Sequence, residues 1–337
     1  MVSRSERVKR GAFFTGKNPL QGPFNAWLLQ TGVSSILEPC AGDGALRRFV
    51  DQEVSGLSWT LYDIDPQSAD IHFRDSIKDF PKGFECCITN PPYLSPRRAR
   101  KIGMSRCHGQ DLWKIFLELA LVHCRFVAMV LPQSFIKKAG HYRRLSHIIL
   151  LPPGTCDGTE QPVCLALFDD IPRDNVVVWS EGVELGDWRT LRRHQVMSEK
   201  IARGIRINDV DGQIGLHAMD SRTGDSLRFV KGEEIDPLRL KRSSRHVTRI
   251  FVEGLDAAEV EMVVNACNEL LGDIRHTTSD LLLTPAHGTS RNGTQRRRLT
   301  YRLAVRIISC ALRQVQSRRL LCESNITENV SPTPTVS

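Results

Sequence analysis

One four-residue stretch restricts the folding of this chain more than any other. Asn90-Pro91-Pro92-Tyr93 follows Glu85-Cys86-Cys87-Ile88-Thr89, a short run with the make-up of a fully buried strand. Neither proline has an N–H to give, so both helix and strand ladder are forbidden there. Asn90 precedes a proline and is pushed to extended geometry. The stretch therefore predicts an abrupt strand end that leaves an aimed Asn side chain and an aromatic ring at the C-terminal edge of a sheet. Open parallel sheets bind ligands at that edge.

Such an arrangement suits a planar amine. The Asn90 amide oxygen and the Pro91 carbonyl can both accept from one exocyclic NH2. That draws the nitrogen toward tetrahedral geometry and frees its lone pair for attack. Tyr93 offers a ring on which the attached base can stack, an interaction of ~1–3 kcal/mol. A plain proline-rich strand exit has the same local sequence, so the upstream residues decide between the two.

Upstream, Phe13-Phe14-Thr15-Gly16 precedes a helix predicted over Pro19 to Gln30, and Ser34 to Pro39 reads as a first strand. Cys40-Ala41-Gly42-Asp43-Gly44-Ala45-Leu46 then reads as a tight turn opening a helix to about Gln52. Gly42 and Gly44 let the backbone approach a ligand where a side chain would block it, and the strand-turn-helix context strengthens an otherwise weak glycine signal. Ser58 to Pro66 reads as a second strand. Asp63 in it stands about twenty residues past the glycine turn, where an acid can accept from both ribose hydroxyls of an adenosine-type cofactor or cap a helix. A short helix is expected from 66 to 70 and a brief strand over Ile71 to Arg74. Asp75 then suits either a cofactor adenine amine or a helix cap.

Beyond Tyr93, residues 94–108 are basic and irregular (Arg97, Arg98, Arg100, Lys101, Arg106), a segment for phosphates or a solvated loop. Helical spacing covers Asp111 to Cys124, and Phe126 to Leu131 reads as a strand. Gly140 to Leu151 reads as a helix carrying Arg143 and Arg144, and Val163–Asp169 with Asn175–Ser180 as a hairpin. Strand and helix thus alternate over residues 12–180 and end in a hairpin. This predicts an α/β fold with a doubly wound, mostly parallel Rossmann-like sheet and an antiparallel edge.

Phe13-Phe14-Thr15-Gly16, Glu38-Pro39-Cys40-Ala41-Gly42-Asp43-Gly44, Asp63-Ile64-Asp65-Pro66 and Asn90-Pro91-Pro92-Tyr93 occur in an order that resembles S-adenosylmethionine-dependent N6-adenine DNA methyltransferases of the gamma arrangement. Asp111-Leu112-Trp113, Phe116-Leu117-Glu118 and Leu131-Pro132-Gln133-Ser134-Phe135 also look like later motifs of that family. The resemblance covers about residues 10–180. It implies S-adenosyl-L-methionine as cofactor, with Thr15 at the methionine carboxylate and Glu38, Gly42 and Gly44 in the cofactor loop. It places Asp63 at the ribose, Asp75 at the cofactor adenine, and Asn90, Pro91, Pro92 and Tyr93 around the target base. The implied reaction is direct in-line transfer of a sulfonium methyl to the amine, without a metal or a covalent enzyme intermediate. An adenine in duplex DNA must first be flipped out, at a cost of a few kcal/mol.

The rest of the chain bears on the partner. Its 337 residues suffice for one large or two ordinary domains. No apolar run approaches the ~20 residues of a membrane span, and no signal peptide is evident in the sequence. The ten cysteines lack metal-ligand spacing, which points to reduced structural thiols and a cytoplasmic setting. Asn292-Gly293-Thr294 and Asn325-Ile326-Thr327 match a glycosylation pattern that such a setting leaves idle. The net charge of +8 favours a polyanionic partner, although its distribution matters more than its sum.

Residues 1–11 read as a flexible basic arm. Residues 181–250 are polar and glycine-containing, with short strands at Gln213 to Ala218 and Ser226 to Val230. A helix over Asp256 to Leu271 turns Val260, Val263, Val264 and Leu270 to a core. Residues 286–322 carry nine arginines and no acid, with an amphipathic helix from Leu299 to Leu321. Arg296, Arg297, Arg298 and Arg302 are the candidate nucleic-acid contacts, and a membrane surface or a partner protein are the other occupants such a basic helix suits. Target recognition falls by elimination to residues 181–322. Residues 323–337 look disordered.

The expectation is a site-specific DNA adenine methyltransferase of the modification type, working alone or beside a separate cognate restriction endonuclease. An RNA adenine methyltransferase, a protein-glutamine methyltransferase and a DNA-binding module with an inactive catalytic domain are the competing readings.

Overall fold

The computed structural model describes residues 11–20, 22–101, 109–198, 200–224, 226–240 and 246–328. Arg106, residues 329–337 of the expected tail and the expected arm except Gly11 lie outside these. Two compact units form. One takes residues 1–190 with 287–289 and 293–295, and the other takes 191–286, 290–292 and 296–337.

Nine strands of the first unit make one sheet: β1 (Ser35–Glu38), β2 (Ser58–Asp63), β3 (Ile71–Phe73), β4 (Cys86–Thr89), β5 (Phe126–Pro132), β6 (Leu145–Leu150), β7 (Val163–Phe168), β8 (Val177–Ser180) and β9 (Val183–Asp187). Their order is β3-β2-β1-β4-β5-β7-β6-β8-β9. Only β7 and β9 run antiparallel to the rest. This is the doubly wound, mostly parallel, Rossmann-like sheet with an antiparallel edge.

The central strands β4, β5 and β7 are buried almost throughout because both faces are covered. Ile36, Cys86, Ile88, Ala128 and Val130 face α1 (Phe24–Thr31) and α2 (Ala45–Glu53) in one core cluster, through Phe24, Trp27, Leu28, Leu46 and Val50. The alternate residues Cys87, Val127, Met129 and Leu131 are buried too. α3 (Pro96–Lys101) follows the Asn-Pro-Pro-Tyr stretch, and α4 (Leu112–His123) leads into β5.

Five local expectations change. α1 begins at Phe24, not Pro19, because Gly22-Pro23 precedes it. Residues 66–70 form turns, not a helix. The basic segment from residue 94 is not wholly irregular, since α3 is helical and is anchored by the buried Ala99. The helix expected over Gly140 to Leu151 is a 3-10 segment (Gln133–His141) followed by β6. Periodicity cannot separate helix from strand in a run as short as Leu145-Ser146-His147-Ile148-Ile149-Leu150. Its position between β7 and β8 settles it as strand. Finally, β7 and β8 do not form a hairpin with each other; β6 lies between them, and the edge hairpin is β8 with β9.

The second unit has a four-stranded antiparallel sheet of β10 (Ile205–Ile207), β13 (Val247–Val252), β11 (Ile214–His217) and β12 (Arg228–Lys231), in that order. α5 (Val260–Thr278) and α6 (Tyr301–Glu328) share its core through Val263, Cys267, Ile274, Leu303, Ile307 and Ala311. β14 (Thr284–Thr289) and β15 (Gln295–Arg298) form a separate two-stranded ribbon, of which residues 287–289 and 293–295 are grouped with the first unit. α6 continues through residues 323–328, the first part of the segment expected to be disordered. No glycine or proline stands between Tyr301 and Glu328 to stop it.

Candidate active site

In the first sheet the chain steps from β1 outward to β2 and β3, and from β4 outward to β5 on the other side. β1 and β4 therefore flank a topological switch point, and the crevice beyond their C-terminal ends is where such sheets hold ligands. Glu38 ends β1, Asp63 ends β2 and Asn90 follows β4. All three leave the same edge because the strands are parallel and in register, with Glu38 opposite Leu61 and Leu37 opposite Cys87.

The Asn90 carboxamide is held on both sides. Its Nδ2 donates to the Phe13 carbonyl at 3.1 Å and to Thr15 Oγ1 at 3.0 Å, with Cys156 Sγ at 3.6 Å. The Phe13 carbonyl can only accept, so the amide nitrogen must face it and the oxygen must face the other way. On that other side the Tyr93 hydroxyl stands 2.7 Å from Oδ1 and 3.1 Å from the Val130 carbonyl. Burial pushes the Tyr93 phenol well above its ordinary pKa, so it keeps the proton it donates. A carboxamide oxygen accepts two hydrogen bonds, and Tyr93 takes one.

Tyr93 thus has a role its motif position did not suggest. Its ring packs on the first core cluster, with its centroid 6.1 Å from that of Phe13, and its hydroxyl turns inward to orient Asn90.

The segment carrying Phe13 and Thr15 is itself strapped down. Gly16 N–H donates to the Thr155 carbonyl at 2.9 Å, Asp157 N–H to the Phe14 carbonyl at 2.8 Å, and Tyr93 N–H to the Gly11 carbonyl at 2.8 Å. Thr15 bridges Cys156 across this strap. A Cβ at residue 16 would lie 2.1 Å from Asp157 Oδ1, so a side chain there would have to displace the Asp157 carboxylate. Burial raises the Cys156 thiol to about 11, leaving it neutral beside Asn90. Nothing local in the sequence marks Cys156, which stands 66 residues from Asn90.

Acids gather on the neighbouring strand ends. Glu38 is 1% exposed, and its Oε2 has no hydrogen-bond partner among the described residues. Burial raises its pKa well above the ordinary value, and Asp63 and Asp43 add to the rise against Arg48 and Arg47. Asp63 is pinned by two backbone donors, Gly42 N–H to Oδ2 and Asp65 N–H to Oδ1, both at 2.8 Å. Burial still outweighs those bonds and raises its pKa.

Gly42 and Gly44 have φ of +59° and +73°, the left-handed region that favours glycine. A Cβ on Gly42 would also come within 3.0 Å of the Phe14 ring. Asp75 opens a turn in which its carbonyl accepts from Lys78 and Asp79 N–H. The adjacent Ser76 is buried, with no partner for Oγ among the described residues. Buried polar groups without partners are rare and ask for an explanation, and Ser76 and Glu38 both stand at this end of the sheet.

The arginines expected from sequence to meet nucleic acid separate into two groups. Arg302 is exposed at the start of α6. Arg297 turns inward, its side chain 12% exposed and 3.5 Å from Asp280. Burial lowers its pKa despite Asp280 and Asp220. Arg296 Nε donates to the Asp220 carbonyl at 2.8 Å, and Arg298 bridges Met219 through the backbone. Along α6, Arg306 donates to the Met197 carbonyl, Arg313 to the Lys200 carbonyl and Arg319 to Glu259. The basic helix therefore directs much of its charge at the protein itself.

Comparison of the sequence with models of known protein families and with curated proteins returns no match. Among solved structures, the chain is similar to the type I restriction-modification system methyltransferase subunit from Streptococcus thermophilus, at 14% identity and TM-score 0.35, over 54% of this chain and 47% of that one. It is similar to a protein assigned as a class I S-adenosylmethionine-dependent methyltransferase from Listeria monocytogenes, at 18% identity and TM-score 0.34, over 49% and 67% of the two chains. A protein assigned as an RNA methyltransferase from Pyrococcus horikoshii matches at 15% identity and TM-score 0.34, over 49% and 90%. The matched region spans about half of the restriction-modification subunit, and the likeness brings no activity with it.

Proposed function

We propose that this chain transfers the methyl group of S-adenosyl-L-methionine to the exocyclic N6 amine of an adenine flipped out of DNA. One observation carries the proposal. At the switch point, an Asn-Pro-Pro-Tyr carboxamide held by donor and acceptor partners stands at the end of β4. On the adjacent β1, the buried Glu38 carboxylate has an oxygen with no partner among the described residues.

The residues fit the cofactor. S-adenosyl-L-methionine, when bound, supplies an electrophilic methyl on a sulfonium and a cationic amino group. Glu38 offers that cation the negative charge that burial otherwise opposes. Asp63, already aimed by two N–H donors, offers its remaining lone pairs to a ribose diol. Thr15 stands beside Asn90 for the carboxylate end. Ser76 and Asp75 offer a donor and an acceptor to an adenine edge.

The target amine meets the Asn90 oxygen and the Pro91 carbonyl, while Pro92 keeps the backbone between Asn90 and Tyr93 stiff. Positive charge develops on the attacking nitrogen, and acceptors fixed in advance stabilise it without reorganising. Tyr93, Thr15 and Phe13 do the fixing. Arg97, Arg98 and Arg100 on α3, directly after the motif, suit the phosphates flanking a flipped base.

The test is transfer of labelled methyl from S-adenosyl-L-methionine, with duplex DNA, RNA of the same sequence and protein offered in parallel. Label is expected on adenine N6 of the DNA. Label confined to RNA or to protein glutamine overturns the substrate assignment. Asn90→Ala is expected to cut transfer about 10²–10³-fold with cofactor binding retained by calorimetry. Loss of cofactor binding in a folded variant would move Asn90 into the cofactor site.

A further inference from the structure

On α6, Arg302 and Arg318 are exposed, whereas Arg306, Arg313 and Arg319 donate to the protein's own groups. The β14–β15 ribbon offers a second basic surface. β14 and β15 belong to no larger sheet. Only residues 290–294 join them, too short for a parallel crossover, so the pair is antiparallel.

Its root is firmly fastened. Leu283 and Leu299, just outside the two strands, are both buried in the second core. Between them, the buried Asp220 N–H donates to the Arg297 carbonyl at 2.9 Å. Arg297 N–H donates back to Asp220 Oδ2 at 3.0 Å, and Arg296 Nε reaches the Asp220 carbonyl. The ribbon therefore has a fixed base, and Ser290 near its far end is buried.

Its far end meets a second loop. Arg291 N–H donates to the Arg222 carbonyl at 2.7 Å, so the tip lies against the turn closed by the Ser221–Gly224 bridge. Arg222, Thr223, Arg291 and Asn292 are all exposed there. No acid occurs between Thr284 and Cys322. The Asp220 carboxylate is turned inward to Arg275 and Arg297, and Asp225 lies outside the described residues.

We infer that the tip of the β14–β15 ribbon and the Ser221–Gly224 turn together form the surface that docks duplex DNA, with the ribbon entering the major groove. The inference rests on the nucleic-acid substrate proposed above. A major groove of B-form DNA admits a two-stranded ribbon, whereas the deep, narrow major groove of A-form RNA does not. Arg291 at the tip is placed for a base edge and Arg222 beside it for a phosphate. Target recognition then lies with the ribbon tip, ahead of the basic helix that follows it.

The experiment uses the full chain with Arg291→Ala, Arg222→Ala and the double variant, and reads fluorescent duplex binding between about 50 and 200 mM salt. Arg222→Ala is expected to shallow the slope of log affinity against log salt by about 0.9 for the phosphate no longer neutralised, and Arg291→Ala to weaken binding with the slope kept, with cofactor binding and melting temperature unchanged in both. The double variant is expected to bind at least about tenfold more weakly. Wild-type affinity and slope in a folded double variant overturn the surface. Equal binding of duplex RNA, equally sensitive to the changes, overturns groove entry. DNA binding that depends on the arginines without methyl transfer keeps the surface and sinks the proposed reaction. A wild-type chain that binds no DNA sinks both.

Discussion

Two groups of buried acid in this molecule meet opposite fates. In the second unit, Asp220 is 2% exposed and faces Arg275 at 3.3 Å, the Ser226 and Leu227 N–H groups and the Arg297 backbone. Asp280 beside it pairs with Arg275 at 3.0 Å and Arg297 at 3.5 Å. In the first unit, Glu38 is as deeply buried, yet one oxygen has no partner among the described residues, and Asp63 and Asp43 add to the rise in its pKa against Arg48 and Arg47. Both groups carry the desolvation penalty. Burial raises the Asp280 carboxyl even against two guanidinium groups. At Glu38, though, one oxygen also lacks a hydrogen-bond partner among the described residues. A satisfied buried acid is a structural joint, whereas an unsatisfied one at a sheet switch point is a place for a ligand that brings its own positive charge.

The contrast can be broken most sharply by Asp220→Ala. Removing one partner from a buried charged network leaves the others exposed to burial without compensation, and costs about 3–5 kcal/mol. Urea unfolding should show that loss, and a change under about 1 kcal/mol would deny the joint its structural role. Glu38→Gln should act with the opposite sign. It removes a buried charge that Arg48 and Arg47 answer only in part, so the free protein should gain about 1–2 kcal/mol while binding S-adenosyl-L-methionine about tenfold more weakly by calorimetry. A variant that is destabilised and binds normally would make Glu38 an ordinary structural acid.

The smallest expected effect is in pH. Burial raises both Glu38 and Asp63 above their unfolded values, so the folded state holds protons more tightly there. Their contribution to stability is full below the unfolded carboxylate range and is lost as pH rises through the folded values. Acidification from neutral toward about pH 5 should therefore narrow the stability gap between wild type and Glu38→Gln. Asp280 responds in the same direction in both proteins and cancels from the difference. A gap that widens on acidification would reverse the assignment.

Much of the first unit was legible in its sequence because each local signal agreed with its neighbours. β1, the glycine turn and α2 follow from Ile36-Leu37-Glu38, Gly42 and Gly44, and the end of β4 follows from Pro91 and Pro92. β6 was not legible, since six mostly apolar residues fit a helix turn or a strand equally and only their neighbours β7 and β8 decide. Nor was the partition of the arginines. Charge counted along the chain does not distinguish Arg297, held by Asp280, from Arg291, which faces solvent. That distinction depends on acids well upstream in the chain, Asp280 and, farther still, Asp220.

By itself, the order of residues determined where strands must stop, where glycine must turn the chain, and that an Asn and two acids would leave one edge together. Those are consequences of forbidden backbone geometry and of apolar runs that cannot face water, which act over a few residues. What only the tertiary structure decided is who meets whom across long separations. Cys156 and Thr15 clasp Asn90, Tyr93 turns its hydroxyl inward, Glu38 is left with an oxygen unpartnered among the described residues, and much of a basic helix is drawn into its own fold. The reason is that hydrogen bonds and desolvation depend on distance in space, and the chain fixes that distance only when it has packed.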